Sequence, residues 1–290
     1  MRFAVVVGLL VPLLSAQQAG PQPKSSSEQA SKPSAEQREA PADAKLVERD
    51  RKLQLVVDAL VPLVEKYAEL KFPTPPKVRA ATHRQWRELV KKEMKPQNDG
   101  QVIVTSMMML GLYLPDAREI VVSPMVIAPL LKELPEDAPR HHRLAQAHQR
   151  ATLAHELTHA LQDIHFSLPT RMKQLLAAED DDWLRCKYVL EGHAVFVEER
   201  IAEGELGLED FMVTGPYVGN GDPSYANGWR FCRRVFEKGG MKALRAALAE
   251  PPTVDEILAV GAERHAGEEG EKDQDNEQAE SGKDDATPGR

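Results

Sequence analysis

The most informative stretch of this sequence is Arg150-Ala-Thr-Leu-Ala-His-Glu-Leu-Thr-His-Ala-Leu-Gln-Asp163. No proline or glycine interrupts residues 140–167, which predicts a helix through this stretch. Its two histidines, His155 and His159, are four residues apart. On a helix, this spacing places both side chains on the same face, one turn above the other. Both imidazoles can therefore reach one metal ion.

The residue beside the first histidine indicates what such a metal would do. Glu156 projects from the neighbouring sector of the helix, where its carboxylate can hold a metal-bound water. This is the His-Glu-x-x-His arrangement of zinc hydrolases, in which protein ligands leave one position of a tetrahedral zinc ion for water. The pattern is short, and a polar helix face with two unrelated histidines is the alternative interpretation.

The segment His155-Glu-Leu-Thr-His-Ala-x-x-Asp163 resembles the active-site helix of the thermolysin-like gluzincin metallopeptidases. The resemblance is strong over this helix and loose elsewhere. It implies that His155 and His159 are zinc ligands, that Glu156 is the general base, and that a glutamate on a later helix is the third ligand. Asp163, one turn past His159, is expected either to orient a ligand imidazole or to face solvent.

Glu191 is the preferred candidate for the third ligand. It is a lone carboxylate in the apolar helical stretch Val189–Val197. A buried carboxylate needs a cation or a hydrogen-bonding network, and a zinc ion would provide the cation. The surrounding Glu-Gly-x-Ala also resembles the second motif of uncharacterised exported bacterial gluzincin-like proteins. Val195 stands where the family has an acidic residue, and Glu198 on the next turn is the expected substitute.

Two other residues remain alternatives for the third ligand. Glu179 lies twenty residues past His159, a spacing found in thermolysin, but within a run of charges. His165 occupies the third-ligand position of the metzincins. That family needs a glycine to turn the chain out of the helix, and Gln162 stands there instead. His193, two residues past Glu191, is expected to be an ordinary, partly exposed histidine.

The resemblance carries two further expectations. Gluzincins often place a tyrosine or histidine near the zinc to stabilise the oxyanion. Tyr225 is the candidate here, ahead of Tyr217, and a tyrosine that only packs its ring is the alternative. The residues Leu110–Val122 predict a β-hairpin with a polar turn. Gluzincins bind the substrate backbone along such an edge strand, and a hairpin that only covers the helix is the alternative.

The two ends of the chain predict export and disorder. Residues 1–16 show a short positive start, an apolar run and a small-residue cleavage site, which are typical of a signal peptide. Residues 17–42 lack large apolar side chains and predict a disordered linker. Residues 261–290 carry ten acidic and four basic residues, which predicts a disordered acidic tail. Residues 43–260 are then one domain of ordinary size.

Less specific patterns complete the expected fold. Asp43–Leu70 predicts two helices, or one helix kinked at Pro62. Residues 124–139 read as a proline-punctuated linker, and Gly239-Gly240 as the end of a helix. His148 is expected on the surface or in a substrate subsite. The two cysteines, Cys186 and Cys232, are compatible with a disulfide or with two buried thiols.

The sequence therefore predicts an α+β, mainly α, zincin-like metallohydrolase domain with a small β-hairpin or sheet next to the His-Glu-x-x-His helix. The expected function is an exported, periplasmic or secreted zinc peptidase acting on a peptide or protein substrate. Zn2+ would be bound by His155, His159 and Glu191, with Glu156 and Tyr225 as catalytic residues. The alternatives are an inactive zincin-fold module that binds peptides or acts like a chaperone, and a structural module with core histidines. No basic stripe indicates nucleic acid, and no run long enough to span a membrane remains after signal cleavage.

Overall fold

The computed structural model describes residues 42–94, 98–214 and 222–262. The predicted signal peptide and all but the last residue of the predicted linker lie outside the described residues. So do Tyr217 and all but the first two residues of the predicted tail. No helix in the described ranges is long and apolar enough to cross a bilayer.

The described chain is mainly helical and contains one small sheet, as the predicted fold class requires. The helices are α1 (Ala42–Ala68), α2 (His83–Met94), α3 (Asp99–Met108), α4 (Pro124–Leu130), α5 (Arg140–Phe166), α6 (Leu168–Ala177), α7 (Trp183–Glu205), α8 (Phe211–Thr214), α9 (Pro223–Ala249) and α10 (Val254–Ala262). The strands are β1 (Lys77–Ala80), β2 (Gly111–Leu114) and β3 (Glu119–Val122), arranged in the order β1-β3-β2.

The core is built around α5 and α7. Residues 151–163 of α5 are buried on every side of the helix. A helix that is buried all round must have neighbours on each face, and α5 packs against α1, α4, α7 and β2. The polar residues of the His-Glu-x-x-His motif are therefore enclosed by protein. Any charge on them must be balanced by other buried side chains or by an ion.

The predicted hairpin is confirmed. Strands β2 and β3 pair antiparallel with Gly111 opposite Val122 and Tyr113 opposite Ile120. β3 also pairs in parallel with β1, which leaves β2 at the edge of the sheet. The Ser123 N–H donates to the Leu110 carbonyl. Because hydrogen-bonded pairs alternate along an antiparallel ladder, the backbone groups of Gly111 and Tyr113 point away from β3.

The structure decides between the alternatives left open by the local predictions and corrects one of them. α1 is one helix that includes Pro62, so the two-helix alternative is wrong. α4 lies inside the predicted linker, and it begins where the Ser123 side chain accepts the Met125 N–H just before Pro124; a serine followed by proline is a helix-start signal. The predicted helix end at Gly239-Gly240 is confirmed, because the backbone of α9 is non-helical at Gly240, where φ is 62°, and a second helical stretch follows to Ala249. Cys186 and Cys232 are both buried free thiols, which is the second of the two alternatives that the sequence left open.

Two glycines let α7 and α9 cross in backbone contact. A Cβ atom at Gly228 would lie 2.1 Å from the Tyr188 carbonyl oxygen, and one at Gly192 would lie 2.1 Å from the Gly228 carbonyl carbon. No larger residue fits at either position unless the helices separate. This contact sets the position of Tyr225, one turn before Gly228, against Glu191, which directly precedes Gly192.

We expect Gly228→Ala to destabilise the chain by about 2 kcal/mol or more, since overpacking against rigid backbone forces the helices apart. Gly261→Ala is the matched control, because a Cβ atom there meets its nearest neighbour at 3.4 Å, an ordinary contact. Urea unfolding monitored by circular dichroism measures both. Equal unfolding midpoints for the two variants would contradict a tight α7–α9 crossing.

Candidate metal centre

Three buried side chains from two helices converge between α5 and α7. The Glu191 Oε2 lies 3.4 Å from the His155 Nε2 and 3.6 Å from the His159 Nε2. One ligand atom from each residue lies within 4.8 Å of the others. His155 and Glu191 have no exposed surface, and His159 is 1 % exposed. The structure thus brings together the three residues that the sequence predicts as metal ligands.

The geometry and donor set of this group fit a metal ion. Two ligands bound tetrahedrally at about 2.0–2.1 Å from zinc are ~3.3 Å apart, close to the 3.4 Å and 3.6 Å separations. The His159 Nε2 is buried and makes no hydrogen bond, so a buried lone pair there lacks a partner. Two imidazoles and one carboxylate are the ligands found in catalytic zinc sites. The group could therefore hold a metal ion.

Glu198 orients His155. Its Oε2 lies 2.9 Å from the His155 Nδ1, and a carboxylate at this distance accepts the Nδ1–H. The Nε2 atom of the same ring then faces Glu191. A carboxylate behind a ligand imidazole fixes its orientation and increases its basicity. Glu198, one turn after Val195, is therefore in the position to orient a candidate ligand imidazole.

His155 is held between two buried carboxylates. Burial alone would lower its pKa, but the Glu191 carboxylate at 3.4 Å and the hydrogen-bonded Glu198 outweigh this effect and raise the pKa to about 10. Burial likewise acts to raise the pKa of Glu191, but the imidazoles of His155 and His159, 3.4 Å and 3.6 Å from its Oε2, lower the pKa to about 2. In the absence of a metal ion, protonated His155 therefore supplies the positive charge that balances the buried carboxylates of Glu191 and Glu198.

Gln162 orients His159, a role that the sequence analysis missed. The Gln162 Nε2 donates to the Leu190 carbonyl at 2.8 Å and faces the His193 Nδ1 at 3.0 Å. Because the carbonyl can only accept, the amide oxygen must point the other way, where it lies 2.8 Å from the His159 Nδ1. The oxygen accepts the Nδ1–H, which leaves the His159 Nε2 lone pair directed at the metal position.

The prediction that His193 is partly exposed is wrong. His193 has no exposed surface, and burial lowers its pKa to about 3. It is therefore a neutral imidazole whose Nδ1 accepts the Gln162 amide. The interaction places His193 behind Gln162, on the side away from His159. The helical spacing of Gln162, three residues after His159, was the only signal for this network.

The prediction that Asp163 orients a ligand imidazole is also wrong, and so is its solvent-facing alternative. Asp163 is 9 % exposed. One of its oxygens accepts the Tyr113 hydroxyl at 2.9 Å, and the other accepts the Thr170 hydroxyl at 2.7 Å. Asp163 thus ties α5 to the edge strand and to α6. The orienting role falls to the residue before it, Gln162.

Glu156 lies between the metal triad and β2. Its Oε2 accepts the Tyr113 N–H at 2.8 Å, while its Oε1 is buried and has no hydrogen-bond partner. A Cβ atom at Gly111 would lie only 2.8 Å from the Glu156 Cγ, so the strand passes directly against this side chain. Burial raises the pKa of Glu156. The free oxygen is the atom available to accept a proton.

Tyr225 reaches the same site from α9. Its ring centroid lies 6.2 Å from that of His155, and the residue is 1 % exposed. Burial, followed by the charges of Glu191, Asp222 and Glu156, raises its pKa. Tyr225 therefore stays protonated and carries a hydrogen-bond donor beside the metal triad.

The other histidine and carboxylate candidates lie apart from the triad. Glu179 is exposed, in the turn between α6 and α7, with a φ of 58°. The His165 Nε2 lies 2.8 Å from the Lys71 carbonyl, so its ring points away from the site. His148 is half-buried, with its ring stacked on Phe211 at 5.8 Å.

We expect metal loading of the metal-free chain at pH 7 to release about one proton, because a ligand imidazole must be neutral and His155 has a pKa of about 10. The raised pKa also implies that the metal-free chain is stabilised by protonated His155 below the unfolded pKa of ~6.5, and that this stabilisation is lost as the pH rises through about 10. Zn2+ titration calorimetry in two buffers of different ionisation enthalpy measures the release. Identical heats in both buffers at pH 7 would show that His155 is already neutral.

We expect Gln162→Leu to weaken metal binding about 10- to 100-fold, since it removes the acceptor that orients His159. Asp163→Asn is the control. It changes the neighbouring residue on α5, whose oxygens bond to Tyr113 and Thr170, and it should leave metal affinity nearly unchanged. Competition with a fluorescent zinc chelator measures both affinities. A larger loss in Asp163→Asn than in Gln162→Leu would reverse the assignment of the orienting residue.

Comparisons of the chain with models of known protein families, with curated proteins and with solved structures find no match. The likeness to gluzincins therefore rests on the motif residues alone. The geometry of His155, His159 and Glu191 supports a metal centre; the identity of the metal and the reaction belong to the proposal that follows.

Proposed function

We propose that this chain is an exported zinc-dependent hydrolase that cleaves peptide bonds. The observation that carries the proposal is Glu156, a buried carboxylate with one oxygen free of hydrogen bonds, beside a triad that can hold a metal ion. A site that only bound a metal for stability would not need a further buried carboxylate at this point. Export is proposed from the signal-peptide pattern of residues 1–16.

The ligand set favours zinc, and three protein ligands leave a position for water and substrate. A bound zinc ion lowers the pKa of its water towards ~7 and polarises a carbonyl group. Glu198 and Gln162 hold the two imidazoles in the orientation that directs both Nε2 atoms to the metal. Glu191 supplies the negative charge, and its low pKa keeps it ionised.

Glu156 moves the proton. The Tyr113 N–H holds one of its oxygens, and the other is buried without a hydrogen-bond partner, in a carboxylate close enough to His159 and His155 for their charges to act on it. This oxygen takes a proton from the attacking water and then delivers it to the nitrogen of the departing amine. General-base catalysis is most effective when the pKa of the base is near the working pH, and burial shifts the pKa of Glu156 upward in that direction.

The edge strand suggests how a peptide is held. The outward backbone groups of β2 belong to Gly111 and Tyr113, and the Tyr113 N–H is already bonded to Glu156. The Gly111 N–H and C=O and the Tyr113 C=O face the same side. An extended substrate that adds to this edge as a further strand would run beside Glu156, with its scissile bond near the triad.

Tyr225 is proposed to stabilise the charge that develops on the carbonyl oxygen. Its pKa is raised by burial and by the nearby carboxylates, so it donates a hydrogen bond and does not ionise. Hydrogen-bond donors placed where negative charge develops make a large contribution to acyl-transfer catalysis. During turnover, the hydroxyl would donate a hydrogen bond to the substrate oxygen.

We expect Glu156→Gln to keep its metal and its fold but to lose peptide hydrolysis by at least ~100-fold, the low end of general-base effects. The amide keeps the size of the side chain and can still accept the Tyr113 N–H, but it cannot take a proton. Glu179→Gln is the matched control, because that carboxylate is exposed and distant from the triad.

Turnover is measured on zinc-loaded protein with a library of fluorogenic peptides, and metal content by mass spectrometry. Turnover by wild type that Glu156→Gln matches would refute the mechanism. A wild type that binds zinc and peptides but cleaves none would establish the peptide-binding alternative. A chain that takes up no metal would refute both.

A further inference from the structure

The side of α5 away from the metal centre carries two adjoining surface cavities. One, of about 390 Å3, lies between α1, the end of α4 and α5. The other, of about 370 Å3, lies between the segment after α4, α5 and the end of α7. Leu134, Gln146 and Arg150 line both. Arg150 is five residues before His155, or ~7.5 Å along the helix axis.

Arg150 is a partly buried arginine that forms no ion pair with any residue that the structure describes. Its Nε is buried and has no hydrogen-bond partner, and none of the ion pairs of the described residues includes its guanidinium. Arginines in such positions are usually paired with a carboxylate or phosphate, because a partly desolvated charge is costly without a partner. The neighbouring Gln146 does not help, since its amide donates to the carbonyls of residues 129, 130 and 132.

The larger cavity has more basic than acidic side chains in its lining near Arg150. Its charged lining consists of Arg51, Lys52, Lys132, Glu133 and Arg150. Arg51 pairs with Glu48, and Lys52 also lies in the field of Glu48. Lys132 forms no ion pair with a described residue. Among the residues that line this cavity, Lys132 and Arg150 are thus opposed only by Glu133, which favours an anion here. Arg150 also lines the smaller cavity together with Glu136 and Glu205, of which Glu205 pairs with Lys66.

The remaining wall of the larger cavity is apolar. Leu55, Val56, Leu130, Leu131 and Leu134 line it, and Leu55 is 56 % exposed. A large exposed leucine next to a partnerless arginine matches a ligand with an apolar body and a charged head. The volume lies within the ~300–1,000 Å3 range of small-molecule sites. A hydrated inorganic ion would leave the leucine wall uncovered.

We propose that Arg150 and Lys132, with the leucine wall between α1 and α5, form a binding site for a small amphiphilic carboxylate. The guanidinium fork of Arg150 binds the carboxylate through two parallel hydrogen bonds. The ammonium group of Lys132 adds a second positive charge, and the hydrocarbon body covers Leu55. The site lies on the opposite side of α5 from the metal centre and does not depend on the function proposed for that centre.

The test uses the full chain and three probes in titration calorimetry: octanoate, its uncharged analogue octanamide, and inorganic phosphate as a competitor. Octanoate should bind saturably, and octanamide at least ~10-fold more weakly, since a tenfold change corresponds to one ion pair of ~1.4 kcal/mol. Arg150→Gln should weaken octanoate binding by a similar factor. Arg84→Gln makes the same change on an exposed face of α2 and should have no effect.

Two exposed positions keep the test decisive if Arg150→Gln folds poorly. Lys132→Gln should weaken the binding of octanoate. Leu55→Ser should weaken the binding of octanoate more than the binding of phosphate. Displacement of octanoate by phosphate would support the anion site and extend it to phosphoryl head groups. The absence of saturable octanoate binding, equal binding of octanoate and octanamide, or equal affinity in wild type, Lys132→Gln and Leu55→Ser would each overturn the proposal.

Discussion

The buried charge balance between α5 and α7 is the constraint on which the site depends. Glu191 and Glu198 are both without exposed surface and both face His155. Two carboxylates in a protein interior are costly unless cations neutralise them. The structure meets this requirement with the imidazoles of α5, and a metal ion can take over the same role. The polar centre is therefore compatible with the apolar packing around it only while a cation, proton or metal, is present.

The apolar packing in turn fixes the polar geometry. α5 is buried on all sides along its second half, so its rotation and position are set by α1, α4, α7 and the sheet. Because Gly192 and Gly228 have no side chains to hold the helices apart, α7 and α9 cross in direct backbone contact. The position of Tyr225 over the triad follows from this crossing. The small residues at the crossing let α7 and α9 approach each other, and the large residues elsewhere in the core hold α5 in place.

The sequence predicted those parts of the site that obey local periodicity. His155, His159 and Glu156 follow from helical spacing, and Glu191 follows from the rule that a buried carboxylate needs a cation. The β2–β3 hairpin follows from two short apolar runs around a polar turn. The parallel pairing of β1 with β3 joins residues more than forty positions apart, and no local pattern encodes it. The Gln162 network depended on tertiary contacts with Leu190 and His193. A glutamine within a helix gives no sign of which neighbouring helix will face it. The sequence analysis therefore predicted that the next residue, Asp163, orients the imidazole.

Tyr113 joins the edge strand to α5 at two points along the helix. Its N–H donates to Glu156, and its hydroxyl donates to Asp163. These two acceptors are seven residues apart, two turns of the helix. A shift of β2 by one residue would turn the Tyr113 side chain to the opposite face of the sheet, and both bonds would be lost together. The position of the Glu156 carboxylate consequently depends on the register of the strand. Substitutions in the hairpin turn, which contains neither Glu156 nor the candidate metal ligands, can therefore displace this carboxylate without changing any residue of the candidate metal centre.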